Sequence, residues 1–108
     1  MKFFATSILL FVATVNGITI TCGDTCSNGT IGLVNFQLSS APVPDTCQTF
    51  YITWEYCTFV NDSKGDKFSG MIIYGGNDDS CSDEDRHETV APGECPSAGL
   101  WARARYFL

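Results

Sequence analysis

The sequence predicts an all-β fold, a small β-sandwich stapled by disulfides, and three observations predict it. Short runs rich in aromatic and β-branched residues alternate with clusters of turn residues. Several of those runs alternate apolar and polar residues with period two, as half-buried strands do. Six cysteines, Cys22, Cys26, Cys47, Cys57, Cys81 and Cys95, follow a short apolar leader, the pattern of a secreted disulfide framework. A chain of 108 residues forms one domain, and 13% aromatic content without a long like-charge block excludes disorder.

In chain order, the first element is an address. Lys2 precedes an apolar run from Phe3 to Val15, and Val15-Asn16-Gly17 closes it with a small residue. That is the tripartite pattern of a secretory signal peptide over residues 1–17, and the run is too short for a stable membrane anchor. The mature domain, 18–108, then carries five basic side chains against twelve acidic ones.

Ile31 to Leu38 places Val34, Phe36 and Leu38 on one face. Turn residues from Ser39 to Asp45, with Pro42 and Pro44, separate it from the run Phe50 to Val60. There Phe50, Ile52, Trp54, Tyr56 and Val60 share one face, which predicts one long strand with these aromatics in the core. The alternative is an α+β fold with one short helix near 45–57, since Asp45 and Gln48 resemble a capping box and Cys47, Tyr51, Trp54 and Cys57 have helical spacing. Met71 to Tyr74 is a compact apolar run between the turn clusters 61–66 and 75–79. At the end Leu100, Ala102, Ala104, Tyr106 and Leu108 alternate with Trp101, Arg103, Arg105 and Phe107. With the first set inward, the second is an exposed stripe. Arg beside Trp is a pairing enriched at interfaces, so Trp101, Arg103, Arg105 and Phe107 are the candidate partner-binding residues.

Strand geometry constrains the bridges. Along one straight strand Cys47 and Cys57 stand about 33 Å apart, beyond disulfide reach, so each pairs elsewhere. The simplest of the fifteen connectivities sends them to Cys22 and Cys26 and leaves Cys81 with Cys95. Two sequons, Asn28-Gly29-Thr30 and Asn61-Asp62-Ser63, mark Asn28 and Asn61 as exposed glycosylation candidates.

Charge and motifs narrow the function. A net charge of −6 argues against nucleic acid and anionic membranes as partners. The single histidine, His87, sits among acids with no nucleophile elbow or free reactive cysteine in the pattern, so no catalytic residue is assigned and no enzyme activity is expected. Six of the twelve acids lie between residues 77 and 88, which reads as a solvated surface or a calcium loop rather than a glycosidase pair. No cofactor is required.

Three resemblances bear on class. Thr21-Cys22-Gly23-Asp24-Thr25-Cys26 resembles the opening of secreted fungal guanyl-specific ribonucleases. Tyr74 stands where a loose alignment of residues 69–74 wants that family's catalytic histidine, so the resemblance implies a non-catalytic relative. Met71 to Tyr74, Asp79-Ser80-Cys81, Glu94-Cys95 and the closing strand together resemble one Greek-key unit of the cysteine-containing βγ-crystallin-like proteins that fungi secrete. The resemblance implies a Greek-key topology and a weak calcium candidate at Asn77, Asp78, Ser80 and Ser82, with Cys81 departing from the motif. As a whole the chain resembles fungal small secreted cysteine-rich proteins of the effector or killer-toxin-like kind. That implies a secreted, extracellular monomer that binds an unknown extracellular protein or cell-surface target. The alternatives are an inactive ribonuclease-like fold, or an inhibitor of a host hydrolase acting through the loop Ser39 to Asp45.

Overall fold

The computed structural model describes residues 17–62, 67–76 and 80–108. Nine strands form among them: β1 (Ile18–Gly23), β2 (Cys26–Ser27), β3 (Thr30–Ile31), β4 (Val34–Ser40), β5 (Cys47–Trp54), β6 (Tyr56–Asn61), β7 (Gly70–Tyr74), β8 (His87–Val90) and β9 (Trp101–Phe107). The fold is all-β, and the alternative helix near 45–57 does not form. Asp45 has a left-handed φ of 62°, where a helix N-cap needs the β region, and Cys47 begins a strand that pairs with β9.

Two antiparallel sheets make the sandwich. One has the order β5-β9-β7-β8, the other β4-β1-β6, and β2 and β3 form a separate short hairpin. Ile18, Ile20 and Phe59 from the smaller sheet meet Phe50, Met71, Ile73, Ala104 and Tyr106 from the larger in one buried cluster. Around Tyr106, Phe59 and Phe68 pack edge-on at 5.7 and 6.0 Å between ring centroids. The Tyr106 hydroxyl is buried without a hydrogen-bond partner among the described residues, and burial pushes its pKa well above the ordinary phenol range. Because an orphaned hydroxyl costs on the order of 1–3 kcal/mol, Tyr106→Phe should leave stability unchanged or raise it by about 1 kcal/mol in a urea melt. A clear loss would mean that the hydroxyl has a partner.

The expected single strand from Phe50 to Val60 is two strands in different sheets. The chain turns a corner at Glu55, whose carbonyl accepts the Gly99 N–H instead of a ladder partner. Trp54 then faces Trp101 in the larger sheet, while Tyr56 pairs with Gly23 in the smaller. The corner shifts the inward phase by one residue, so Phe50 is inside before it, and Cys57 and Phe59 are inside after it. Ile52 and Val60, expected in the core, are exposed, and Trp54 is half-buried on Phe36.

The same corner decides the bridges. Cys22 joins Cys57 across the β1–β6 ladder, Cys47 joins Cys81, and Cys26 joins Cys95. Cys47 and Cys57 do pair elsewhere and Cys57 does reach Cys22, but Cys47 reaches neither Cys22 nor Cys26, and Cys81 does not reach Cys95. With β5 and β6 in different sheets, Cys57 lies beside β1, whereas Cys47 lies at the edge of the larger sheet, facing the segment that follows β7.

Candidate binding surface

The stripe expected to be exposed is covered. β9 is a central strand, flanked by β5 and β7, and both of its faces are occupied. Trp101 is fully buried, donates its indole N–H to the Ser97 carbonyl and lies under the Arg86 guanidinium at 4.8 Å. Arg103 is 3% exposed and donates to the carbonyls of Gly75 (2.7 Å) and Gly76 (3.4 Å), with Asp85 at 3.5 Å. Arg105 is half-buried between Asp45 (3.2 Å) and the Tyr74 hydroxyl (3.3 Å); the Tyr74 bond first, and nearby acids after it, raise its pKa. Phe107 is half-buried as well. Polar segment 80–86, tied to β5 by Cys47–Cys81 and to Tyr74 through Asp83, helps to cover this face of the sheet. Trp101, Arg103 and Arg105 are therefore engaged with the protein's own loops and side chains.

The other sequence candidates are spread around the molecule. Asn28 is exposed in a tight turn with φ 53°. Asn61 is only partly exposed, and its amide is used on both sides: Nδ2 donates to the Phe68 carbonyl and Oδ1 accepts the Phe68 N–H. That clamp ties the end of β6 to residue 68 as the chain returns to the core. Of the calcium candidates, Asn77 and Asp78 lie outside the described residues; Ser80 is exposed and the Ser82 hydroxyl accepts the Glu84 N–H. His87 is exposed, with Nδ1 2.9 Å from the Asp85 carbonyl oxygen and its ring 5.7 Å from that of Tyr74. All six cysteines are oxidised, so the chain has no free thiol nucleophile. The signal-peptide expectation falls on residues 1–16, outside the described residues, and on Gly17.

A different surface emerges from β5. Its register with β9 runs Cys47–Arg105, Gln48–Ala104 and Thr49–Arg103, then jumps to Trp54–Trp101. Phe50 to Thr53 therefore stand against Ala102 alone and bulge from the ladder. Phe50 turns into the core, and the chain recovers at Tyr51 through a left-handed φ of 71°, with the Tyr51 N–H donated to Thr49 Oγ1 at 3.1 Å. Tyr51 is left 88% exposed and Ile52 58% exposed. A bulky residue in that backbone region costs on the order of 1–3 kcal/mol, a cost that collects at functional sites.

Beside this bulge, Leu38 and Ile20 from the smaller sheet face Phe50 and Tyr51 across an open cavity of about 320 Å³. The adjoining loop puts Val43 65% into solvent and is pinned at its base, because the Asp45 N–H donates to the Tyr106 carbonyl and the Thr46 N–H to that of Val43. From Thr25 to Trp54 the only charged residue is Asp45, which pairs with Arg105. The surface thus combines exposed aromatic and aliphatic side chains, a loop base held by backbone hydrogen bonds and little charge, the composition of an interface centre. Residue alternation assigned Ile52 to the core and passed over Tyr51. The signal that could have found the surface is the nearly charge-free span itself.

Comparison with known proteins yields no matching family model, no similar curated protein and no similar solved structure.

Proposed function

We propose that this is a secreted, non-enzymatic protein of the effector or toxin-like kind, which binds an extracellular protein or cell-surface target through the Tyr51 bulge and the Val43 loop. The observation that carries the reading is Tyr51, a fully presented aromatic held in a strained backbone conformation on an uncharged surface. A rigid aromatic anchor loses little entropy on binding, and such residues dominate interface energetics. The three disulfides fit an oxidising extracellular setting.

Tyr51→Gly separates binding from folding. Glycine adopts φ 71° without strain, so the thermal midpoint should hold or rise, by no more than about 1 kcal/mol of stability. Binding to the target tissue or cell should fall tenfold or more, a loss of about 1.4 kcal/mol. The oxidised protein and the variant are applied to plant leaf tissue and to fungal and bacterial cells, with death, growth arrest and cell-bound protein as readouts. Equal activity of the two proteins would rule out the Tyr51 surface.

A second reading, inhibition of an extracellular hydrolase, is favoured by the pinned loop. Its base bonds hold Val43 outward between two prolines, which lowers the ordering cost of insertion into a cleft. Val43→Arg should abolish inhibition in a panel of secreted proteases and glycanases while leaving the fold intact; an unaffected inhibition constant would exclude the loop.

A further inference from the structure

The sandwich has four sheet edges, and three are guarded. The β5 edge is broken by the Tyr51 bulge. The β8 edge is four residues long and carries His87 and Glu88. Along β6, the Gly93 N–H donates to the Phe59 carbonyl and the Thr58 hydroxyl to that of Glu94, so a following segment covers it. Among the described residues β4 has none of these protections. Its seven residues, Val34-Asn35-Phe36-Gln37-Leu38-Ser39-Ser40, include no charge, no proline and no left-handed backbone, and its one irregularity falls between Val34 and Phe36. An edge of this kind is a template for another strand.

Which backbone groups it offers follows from the ladder. The Asp62 N–H donates to the Gly17 carbonyl, so Gly17 directs its backbone polar group toward β6. In an antiparallel sheet the direction alternates, and Ile18, Ile20 and Cys22 direct theirs toward β4. The Cys22 and Cys57 Cα atoms, 4.1 Å apart, form the close pair that exchanges no backbone hydrogen bonds, which gives the same phase. The partners of Ile18, Ile20 and Cys22, namely Ser40, Leu38 and Phe36, are therefore bonded inward. Gln37 and Ser39 present their N–H and C=O groups to solvent.

We propose that a second copy of this chain occupies the edge, with the two β4 strands antiparallel about a two-fold axis, joining two three-stranded sheets into one of six. A two-fold axis sets each residue near its own kind, so a charged edge would face itself. This chain carries a net charge of −6, yet leaves β4 without a charge. Phe36 and Leu38 share the inward face, so pairing centred on either Gln37 or Leu38 sets apolar side chains beside one another next to the open cavity. This departs from the monomer expected from sequence and does not rest on the Tyr51 reading.

The test uses the oxidised protein in sedimentation velocity and amide hydrogen exchange over a dilution series. The mass should rise toward twice the monomer value with concentration. Salt should favour the dimer, because it screens repulsion between two acidic copies and there is no ion pair to weaken. The Gln37 and Ser39 amides should exchange fast when dilute and slow when concentrated, while those of Phe36, Leu38 and Ser40 stay protected throughout. Gln37→Pro removes an outward donor without touching the β1 ladder and should give the monomer mass. Gln37→Lys sets like charges opposite one another when pairing is centred on Gln37, and diagonally across the axis when it is centred on Leu38; it should do the same, which keeps the test valid if the proline variant fails to fold. Tyr51→Gly should leave the mass unchanged. A single monomer mass at every concentration would overturn the proposal. So would a dimer indifferent to both β4 variants, or protection of Gln37 and Ser39 that appears only when a foreign protein is added.

Discussion

Replacing Arg103 by Ala is expected to destabilise the protein by about 3–5 kcal/mol, the cost typical of removing one partner from a buried charged cluster. The guanidinium is almost wholly buried and holds the carbonyls of Gly75 and Gly76 together with the Asp85 carboxylate. Truncation takes the donor from the buried Gly75 carbonyl and its longer contacts from Gly76 and Asp85, and it removes the stem that packs beneath the loop. Arg105 provides the contrast on the same strand. Its pair with Asp45 has side chains 28% and 66% exposed, so solvent screens it, and Arg105→Ala should cost about 1 kcal/mol or less. Guanidinium chloride melts of both variants decide the matter. Equal costs would mean that the burial of Arg103 contributes little.

That asymmetry also shows why the outer face of β9 is not legible in the sequence. Alternation along Trp101 to Phe107 correctly puts Ala104 and Tyr106 in the core, but it cannot show whether the opposite face meets water or another part of the chain. The cover is supplied in part by residues 80–86, which are acidic and polar in sequence and carry no apolar signal. Period-two patterning likewise found strands on both sides of Glu55. It had no means of detecting a sheet-to-sheet corner, because neither glycine nor proline marks it. Tyr51 is harder still: its left-handed backbone belongs to the bulge where the β5–β9 register jumps and Phe50 turns into the core, and no local residue type signals it. The all-β class and the oxidised framework were legible because they follow from composition and spacing. The bridge partners were not, since they depend on which sheet each strand joins.

The largest loss of all should come from the sulfurs. Cross-linking the unfolded chain over separations of 34, 35 and 69 residues reduces its entropy by an amount worth about 4 kcal/mol per bridge on the chain-entropy estimate. The doubled separation of Cys26–Cys95 adds only about 0.6 kcal/mol, since loop cost grows with the logarithm of length. Entropy alone would therefore make that bridge the most valuable. Packing reverses the order. Cys22 and Cys57 are fully buried between the sheets, so Cys22→Ala with Cys57→Ala also empties two sulfur positions in the core, each worth about 1 kcal/mol as a cavity of methyl size. The Cys22–Cys57 double variant should consequently melt lowest, ahead of Cys26–Cys95 and then Cys47–Cys81. A domain of this size has about 5–15 kcal/mol in total, so full reduction should unfold it. Thermal melts followed by near-ultraviolet circular dichroism read this directly. If the Cys26–Cys95 variant melts lowest instead, chain entropy outweighs core packing here; if the reduced protein keeps its native spectrum, the two sheets hold together without their staples.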